Sequence, residues 1–549
     1  MTKLDMTPGA QIPRTDAGPQ TAVTQALSSA AYRDSDLSAF EDAQPGKIKS
    51  GRFKLLRPNL GEAFSKAVIA RTLGGGRNPL VPSFGVDARM VVHHCLAAEE
   101  LRDTRDRRLT VVTLVSGLLF LPGALLWLAA FQIRAWLKKD ASGRQDLFGT
   151  LVLVGVGLIA VLLAVRPPVG GLFALYFRVM MVAPVIGWYV AKRIALRSTE
   201  ELRQVWTSLV EGNGPAATVP KAVPRDDLDK KAATLRAQLG RLEAEQETNY
   251  HHYAGPKGLL GAGRCWGTWN ITAELTPAEG HPDFRTFHIW DLARKVAERL
   301  GGLGRSEIAN GGMPNYSVNH WVVSHIPEGA DEIGRPKDAT MDPDGLVMRD
   351  SAVQEVANRQ AFGHGGARHY VATQFVLHQG QVISTLLVEI TVLANVLQVT
   401  VSGYAIGPVH GIFTSKPKPR ELTRQKNGKF WLEETVQLPL IGNDEVVRQA
   451  LRAPFMRFPA LLGWLGGGIG LPEPFGLRSS WVSRAWGSRL WSDDVVRSAT
   501  PVITAVSGAL VDFLDDHDID TSRFTNRTNI LKSELQGARP FLADEFPAG

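Results

Sequence analysis

Three long apolar segments constrain this chain more than any other feature: Leu109 to Ile133, Leu147 to Val165 and Gly170 to Ala191. At about 1.5 Å per helical residue, each is long enough for a hydrocarbon core of about 30 Å. The first two hold no charged residue. One such run can sit inside a soluble protein. Three in succession predict an α-helical block in a cell membrane, and hence a multi-pass protein.

The flanks carry the orientation. Arg102, Arg105, Arg107 and Arg108 precede the first segment, and Arg134, Lys138, Lys139 and Arg144 follow it. Between the second and third stands "RPPVGG", with Arg166; beyond the third come Lys192, Arg193 and Arg197. Cytoplasmic loops collect Lys and Arg, so three of these four regions read as cytoplasmic. Three simple crossings cannot put all three on one side. A first segment that turns back at Pro122-Gly123, in "LLFLPGALL", can. Each arm would be about 12 residues, or about 18 Å, too short to cross. Non-helical backbone at that depth needs protein or water around it. A kinked helix that simply crosses is the competing arrangement, and it would leave the C-terminal part outside. Arg178 is the one charge well inside a segment. It costs about 2.5–3.5 kcal/mol there unless it snorkels to lipid phosphates or faces an oligomer interior.

At 549 residues the chain has room for two or three folded units. Its net charge of +7 is modest for that length and points to no nucleic-acid partner. Cys95 and Cys265 are too few for a disulfide framework or a cysteine zinc site. Residues 1–45 lack a signal-peptide pattern and are poor in large apolar groups, which predicts a disordered tail. A basic juxtamembrane segment and helix fill 46–108. "KIKSGRFKLLR" sets Lys47, Lys49, Arg52, Lys54 and Arg57 among apolar residues. Such a segment binds an anionic lipid surface, at about 1 kcal/mol per basic residue, or an acidic partner, or is a solvated linker.

Residues 192–250 read as a helical connector, where Leu228, Ala232, Leu235, Leu239 and Leu242 form a short coiled-coil seam. The seam serves an intramolecular helix pair or a homo-oligomer. Residues 251–440 read as an α+β domain with an antiparallel sheet. "RCWGTWNITAEL" and "YSVNHWVVSH" look like strands, and "HIWDLARKVAERLGGL" like a helix closed by glycine. The apolar stretch 368–406 is rich in Val, Ile and Thr and predicts adjacent strands rather than a fourth span. Residues 441–549 read as mainly helical with a loop-rich end. There Arg478, Arg484 and Arg489 interleave with Trp481, Trp486 and Trp491. Trp with Arg suits a membrane interface, a partner-binding hot spot or a packed core helix with cationic rims.

Chemistry is sparse. In "GPKGLLGAG" Lys257 precedes most of the glycines and no hydroxyl follows it, so a phosphate-binding loop is not expected. Ten histidines lie between His251 and His410, without the spacing of a zinc site. No hydrolase, metalloprotease or kinase signature is present. No cofactor or metal is expected. The composition favours binding over catalysis: a membrane-anchored protein that docks or senses a partner. A membrane-bound hydrolase with a histidine pocket in 251–440 and a membrane-perturbing effector are the alternatives. The plan of polar tail, "KIKSGRFKLLR", apolar block 109–191 and large C-terminal domain resembles uncharacterised multi-pass membrane proteins of filamentous actinobacteria. Some of these are associated with phage-tail-like contractile injection systems. The resemblance implies docking of such an assembly at the cytoplasmic membrane.

Overall fold

Helix α1 (Ala22–Ala30) lies in a stretch whose composition predicted disorder, yet every one of its residues is buried. In the computed structural model, Thr21 caps it by accepting from the Thr24 amide, and the Ala22 amide donates to the Gln379 carbonyl at 2.9 Å. Its small Ala, Ser and Thr side chains let neighbouring helices close around it. Tyr32, Leu37 and Phe40 continue this core. The expected tail 1–45 is therefore corrected for residues 21–38 and Phe40. The structure describes residues 21–38, 40, 48–49, 57–75, 77–139, 143–167, 170–214, 229–305, 311–313, 315–327, 333–359, 366–426, 429–458, 468–483, 486 and 488–537.

Strand β1 (Ile48–Lys49) precedes α2 (Leu60–Leu73) and α3 (Ala88–Val112). The Asp87 carboxylate caps α3 by accepting from the Met90 amide. A π-helical stretch, Thr113–Leu118, prolongs α3. The chain then turns into α4 (Leu121–Lys139), with a bend of 103° between the two parts. Helix α5 (Gly143–Val165) follows, then α6 (Leu172–Glu211), a single helix that Gly212 closes in the left-handed conformation. The connector predicted from residue 192 is thus the continuation of the third apolar segment. At about 1.5 Å per residue, α6 forms a rod of about 60 Å. Helix α7 (Lys230–Gln246) starts at an Asp229 cap and buries Leu239 and Leu242 in the core formed with α1, α2 and α3. The seam serves intramolecular packing there; Leu228 lies outside the described residues.

The C-terminal half is built on a sheet that is six-stranded among the described residues, ordered β2-β4-β5-β6-β7-β3. Its members are β2 (Tyr250–Tyr253), β3 (Arg264–Glu274), β4 (Tyr316–His325), β5 (Arg368–Leu377), β6 (Val382–Leu393) and β7 (Val396–Ile406). The strands expected within 368–406 pair antiparallel, Val388 opposite Val371 and Val401. Positive φ at His378, Gln379 and Gly380, and again at Ala394 and Asn395, makes the two hairpin turns. One expectation changes: β2 joins β4 in parallel, so the sheet is mixed.

Helix α8 (Ile289–Gly301) and α9 (Asp350–Arg359) lie between strands. The hairpin β8 (Glu421–Lys426) and β9 (Lys429–Gln437), α10 (Asn443–Arg452), β10 (Gly468–Ile469), α11 (Arg489–Asp515) and α12 (Ser522–Gly537) complete the chain. Val502, Val506 and Leu510 of α11 and Leu292 and Val296 of α8 cover the sheet face formed by Val388, Ile390 and Val399. Residue 441 is consequently no domain boundary, because the last helices complete the sheet's core. Residues 522–537, expected to be loop-rich, are helical around a buried Phe524. Among the described residues two helices are long and apolar enough to cross a membrane, Phe173–Glu211 and Arg489–Asp515, and a third if the bent pair counts as one. The second of these is α11, packed on the sheet.

Candidate membrane-facing site

The turn in the first apolar segment falls at Leu119–Phe120, three residues before the expected Pro122-Gly123. Pro122 instead stands in the first turn of α4, where a missing amide costs nothing. The Leu119 carbonyl, left without a helical donor, accepts from the Tyr176 hydroxyl at 3.3 Å. Pro184 likewise deprives the Met180 carbonyl of its donor. Gly123 packs directly on that carbonyl, and a Cβ there would collide with it. The Trp127 indole N–H donates to the Met181 carbonyl at 3.0 Å, and Phe131 stacks on Trp188 at 6.3 Å. Residues 123, 127 and 131 therefore meet 180, 181 and 188 in rising order. Over those eight residues, about 12 Å, α4 runs alongside α6 in the same direction.

That order fixes the path. Helix α3 climbs past Ala195 and Ala191 at Leu109, and reaches Gly187 at Ser116, where a Cβ on Gly187 would strike the Ser116 side chain. The chain then turns and α4 descends. Helix α5 climbs again, with Ala160 packed beside Met180 and Met181 and Leu163 against the same cluster, and α6 returns. Arg105–Arg108, the end of α4 at Lys139, the start of α5 and Lys192–Arg197 share one end of this bundle, and Arg166 lies at the other.

The surface matches that path. Of the 31 exposed large apolar residues among those described, 25 lie between Val111 and Val190, a patch far larger than solitary soluble surfaces carry. At its basic end the Lys192 ammonium sits 5.2 Å over Trp188, and the Arg193 guanidinium donates to the Tyr189 hydroxyl at 2.7 Å. Aromatic rings beside basic tips are the chemistry of a lipid–water boundary. Arg178 is exposed, six residues from the other end of α6.

Between the π-helical stretch, α4, α6 and α10 lies an apolar cavity of about 200 Å³, lined by Val112, Leu128, Phe131, Trp188, Val446 and Ala450 among others. The nearby hydroxyls are engaged: Thr113 donates to the Ala450 carbonyl at 2.9 Å and Ser116 to the Val112 carbonyl at 2.5 Å. The lining suits a hydrocarbon chain. Helix α10 is held there by ions: Arg452 pairs with Glu62 at 2.7 Å, and Lys66 with Glu62 at 2.9 Å. Burial alone would raise the Glu62 pKa, but Arg452 and Lys66 outweigh it and hold the carboxyl well below its usual range. Arg448 donates to the Arg57 carbonyl at 2.6 Å and to Asn59.

The other candidates fare differently. Trp481 is fully buried against Phe40, Phe64 and Phe413, with ring centroids 5.4–5.7 Å away. Trp486 is buried against Gly407. Both rings sit in the core of the fold, not on the surface to which the contact reading of the Trp/Arg segment assigned them. Trp491 is half-buried 5.8 Å from His378, Arg489 is exposed, and Arg484 lies outside the described residues. So do Lys47, Arg52 and Lys54; Lys49 is described only as backbone, opposite Gly468, and Arg57 is half-buried.

Two of the histidines meet, and the described ones gather in no single pocket. His320 Nδ1 lies 3.0 Å from His369 Nε2 beside Trp290, and burial, then His320, lowers the His369 pKa to about 3. His251 packs on Trp321 at 3.9 Å, and burial lowers its pKa to about 3. His364 lies outside the described residues. Among the described residues no three His, Cys, Asp or Glu could hold a metal. The sheet's other face is divided: Trp321, Ala372 and Leu387 are buried with Leu259 and Phe84, Arg368 pairs with Glu389 at 3.2 Å, and Thr268, Asn270, Thr272, Ser317, Asn319 and Gln398 are exposed beside Cys265. Sequence reasoning passed over Ser116, Trp127, Gly187 and α10; the signal was Pro184 and the small residues inside an apolar run.

Fold and site define a chain in which one continuous helix joins an apolar hairpin block to a mixed α+β unit. That unit is similar to a described family: a family model for an AbeC-like domain matches residues 268–539. The match runs from within β3 past the end of α12 and leaves out the apolar helices. No curated protein and no solved structure matches the chain.

Gly123→Ala is expected to lower stability in detergent by about 1–3 kcal/mol, because the Met180 carbonyl cannot yield. Gly155 has open space around it, so Gly155→Ala should be neutral or stabilising by up to about 1 kcal/mol. Paired thermal melts of the two variants check the close approach of α4 to α6.

Proposed function

We propose that this chain is a multi-pass protein of a bacterial cell membrane, and that its α+β unit faces the cytoplasm and binds a protein partner there. The observation that carries the reading is the return of α4 along α6. It gathers three basic flanks at one end of the apolar bundle, as the distribution of Lys and Arg in cytoplasmic loops requires. The Leu119 carbonyl, bonded by Tyr176, meets the demand that broken backbone at that depth be satisfied by protein. Binding is favoured over hydrolysis because exposed polar residues of β3, β4 and β7 share one sheet face, while the close histidine pair, His320 and His369, belongs to no group of three metal-ligating side chains among the described residues. The resemblance to actinobacterial membrane proteins supplies a partner class, a contractile injection assembly docked on the cytoplasmic face.

The chain carries its own topology probe. Cys265 is exposed on the sheet, whereas Cys95 is buried and burial pushes its thiol up to about 12. A membrane-impermeant maleimide should label Cys265 only after cells are permeabilised. Labelling in intact cells would mean that the first segment crosses, and that the α+β unit lies outside. Membranes bearing the chain should retain contractile assemblies in sedimentation, and Asn270→Lys with Thr400→Lys should abolish that retention.

A further inference from the structure

Away from the apolar block, the end of α2, α7 and the loop 333–349 enclose a polar cavity of about 920 Å³. Arg77, Arg241, Arg335, Lys337 and Arg349 line it. One buried carboxylate, Glu245, serves the guanidiniums. It accepts from Arg77 at 2.8 Å and from the Leu80 amide at 3.2 Å, which leaves Arg335 at 3.7 Å. The Arg335 side chain is 9% exposed and its Nε has no hydrogen-bond partner. Of the three aspartates in the lining, Asp344 is exposed to solvent and the other two are engaged. Asp342 accepts from the Leu346 and Val347 amides at 2.6 and 3.0 Å, and Asp338 accepts from the Thr340 amide at 3.0 Å. The loop is pinned beneath by His252, whose Nε2 donates to the Gly334 carbonyl at 2.9 Å.

A guanidinium withdrawn from water without a full set of acceptors is costly, and an anion with several oxygens relieves that cost through charge-assisted bonds. We propose that this cavity binds a soluble phosphate-bearing anion, with Arg335 at its floor and Arg241 at its rim. The site is independent of the docking reading. Glu62, at the start of α2, contacts α10 beside the apolar bundle, and Thr72 in the cavity wall is ten residues further on, about 15 Å along the helix. That separation favours a soluble ligand over a lipid headgroup.

The test uses the full chain in phosphatidylcholine nanodiscs, free of phosphate, titrated with inorganic pyrophosphate by calorimetry. Binding should be saturable and weaken by about tenfold to a hundredfold in Arg335→Gln and in Arg241→Gln. Arg241 is exposed, so its variant keeps the fold and tests the site independently of Arg335→Gln. Without ligand, Arg335→Gln should melt at or above the wild-type temperature, because it removes an under-compensated buried charge. Absence of pyrophosphate binding would overturn the proposal, and so would binding that both variants retain. Stabilisation by phosphatidylglycerol nanodiscs that depends on Arg335, with none by pyrophosphate, would assign the site to a headgroup and overturn it too.

Discussion

Arg478→Ala is expected to destabilise the fold by about 4–5 kcal/mol, measured as unfolding of the full chain in detergent. The guanidinium is fully buried, and burial lowers its pKa to about 9. Its Nη1 donates to the Phe84 and Gly380 carbonyls at 3.0 and 2.6 Å, and its Nη2 to the Gln381 and Gly407 carbonyls at 2.8 and 3.0 Å. One side chain thus ties together the turn before α3, the β5–β6 hairpin and the end of β7. Removing it strands four carbonyls, of which those of Gly380 and Gly407 are in buried bonds and those of Phe84 and Gln381 in part-buried ones, and a buried acceptor left unpaired costs about 1–3 kcal/mol. Arg478→Lys should recover only part of the loss, because an ammonium has three donors around a point and cannot reproduce the fork. Wild-type stability in Arg478→Ala would remove Arg478 from this role.

Glu62→Gln should cost about 3–5 kcal/mol at neutral pH, because it leaves Arg452 charged and buried beside a neutral amide. Both side chains are nearly inaccessible, at 3% and 4% exposure. The pH dependence has a definite sign. Glu62 is held below its unfolded value of 4.5, so the native state binds fewer protons than the unfolded one on the acid side. Its contribution is complete above about pH 4.5 and is lost as pH falls through the lowered native value. Unfolding of wild type and Glu62→Gln, compared at pH 7 and pH 3, should show the gap narrowing at pH 3. An unchanged gap would detach the stability of α10 from this ion pair.

Much of the architecture is local and was readable in residue order. The apolar segments, the 368–406 strands and the helix in "HIWDLARKVAERLGGL" each follow from periodicity or from a single residue's conformational preference. Those signals act over a few residues, so one chain suffices to state them.

Tertiary structure decided the rest, because the deciding partners are distant in sequence. Trp481 looked like an interface residue until Phe40, Phe64 and Phe413 enclosed it. Helix α1 has too little apolar surface to fold alone and is stable only where α3 and α6 wrap it. The turn at Leu119–Phe120 depends on Met180, Met181 and Pro184 standing opposite Gly123 and Trp127. By itself the sequence determined that an apolar block precedes a mixed α and β unit. Which end of the block holds the basic flanks was decided by the packing of α4 on α6, since direction along a neighbouring helix is a contact property and leaves no periodicity to read.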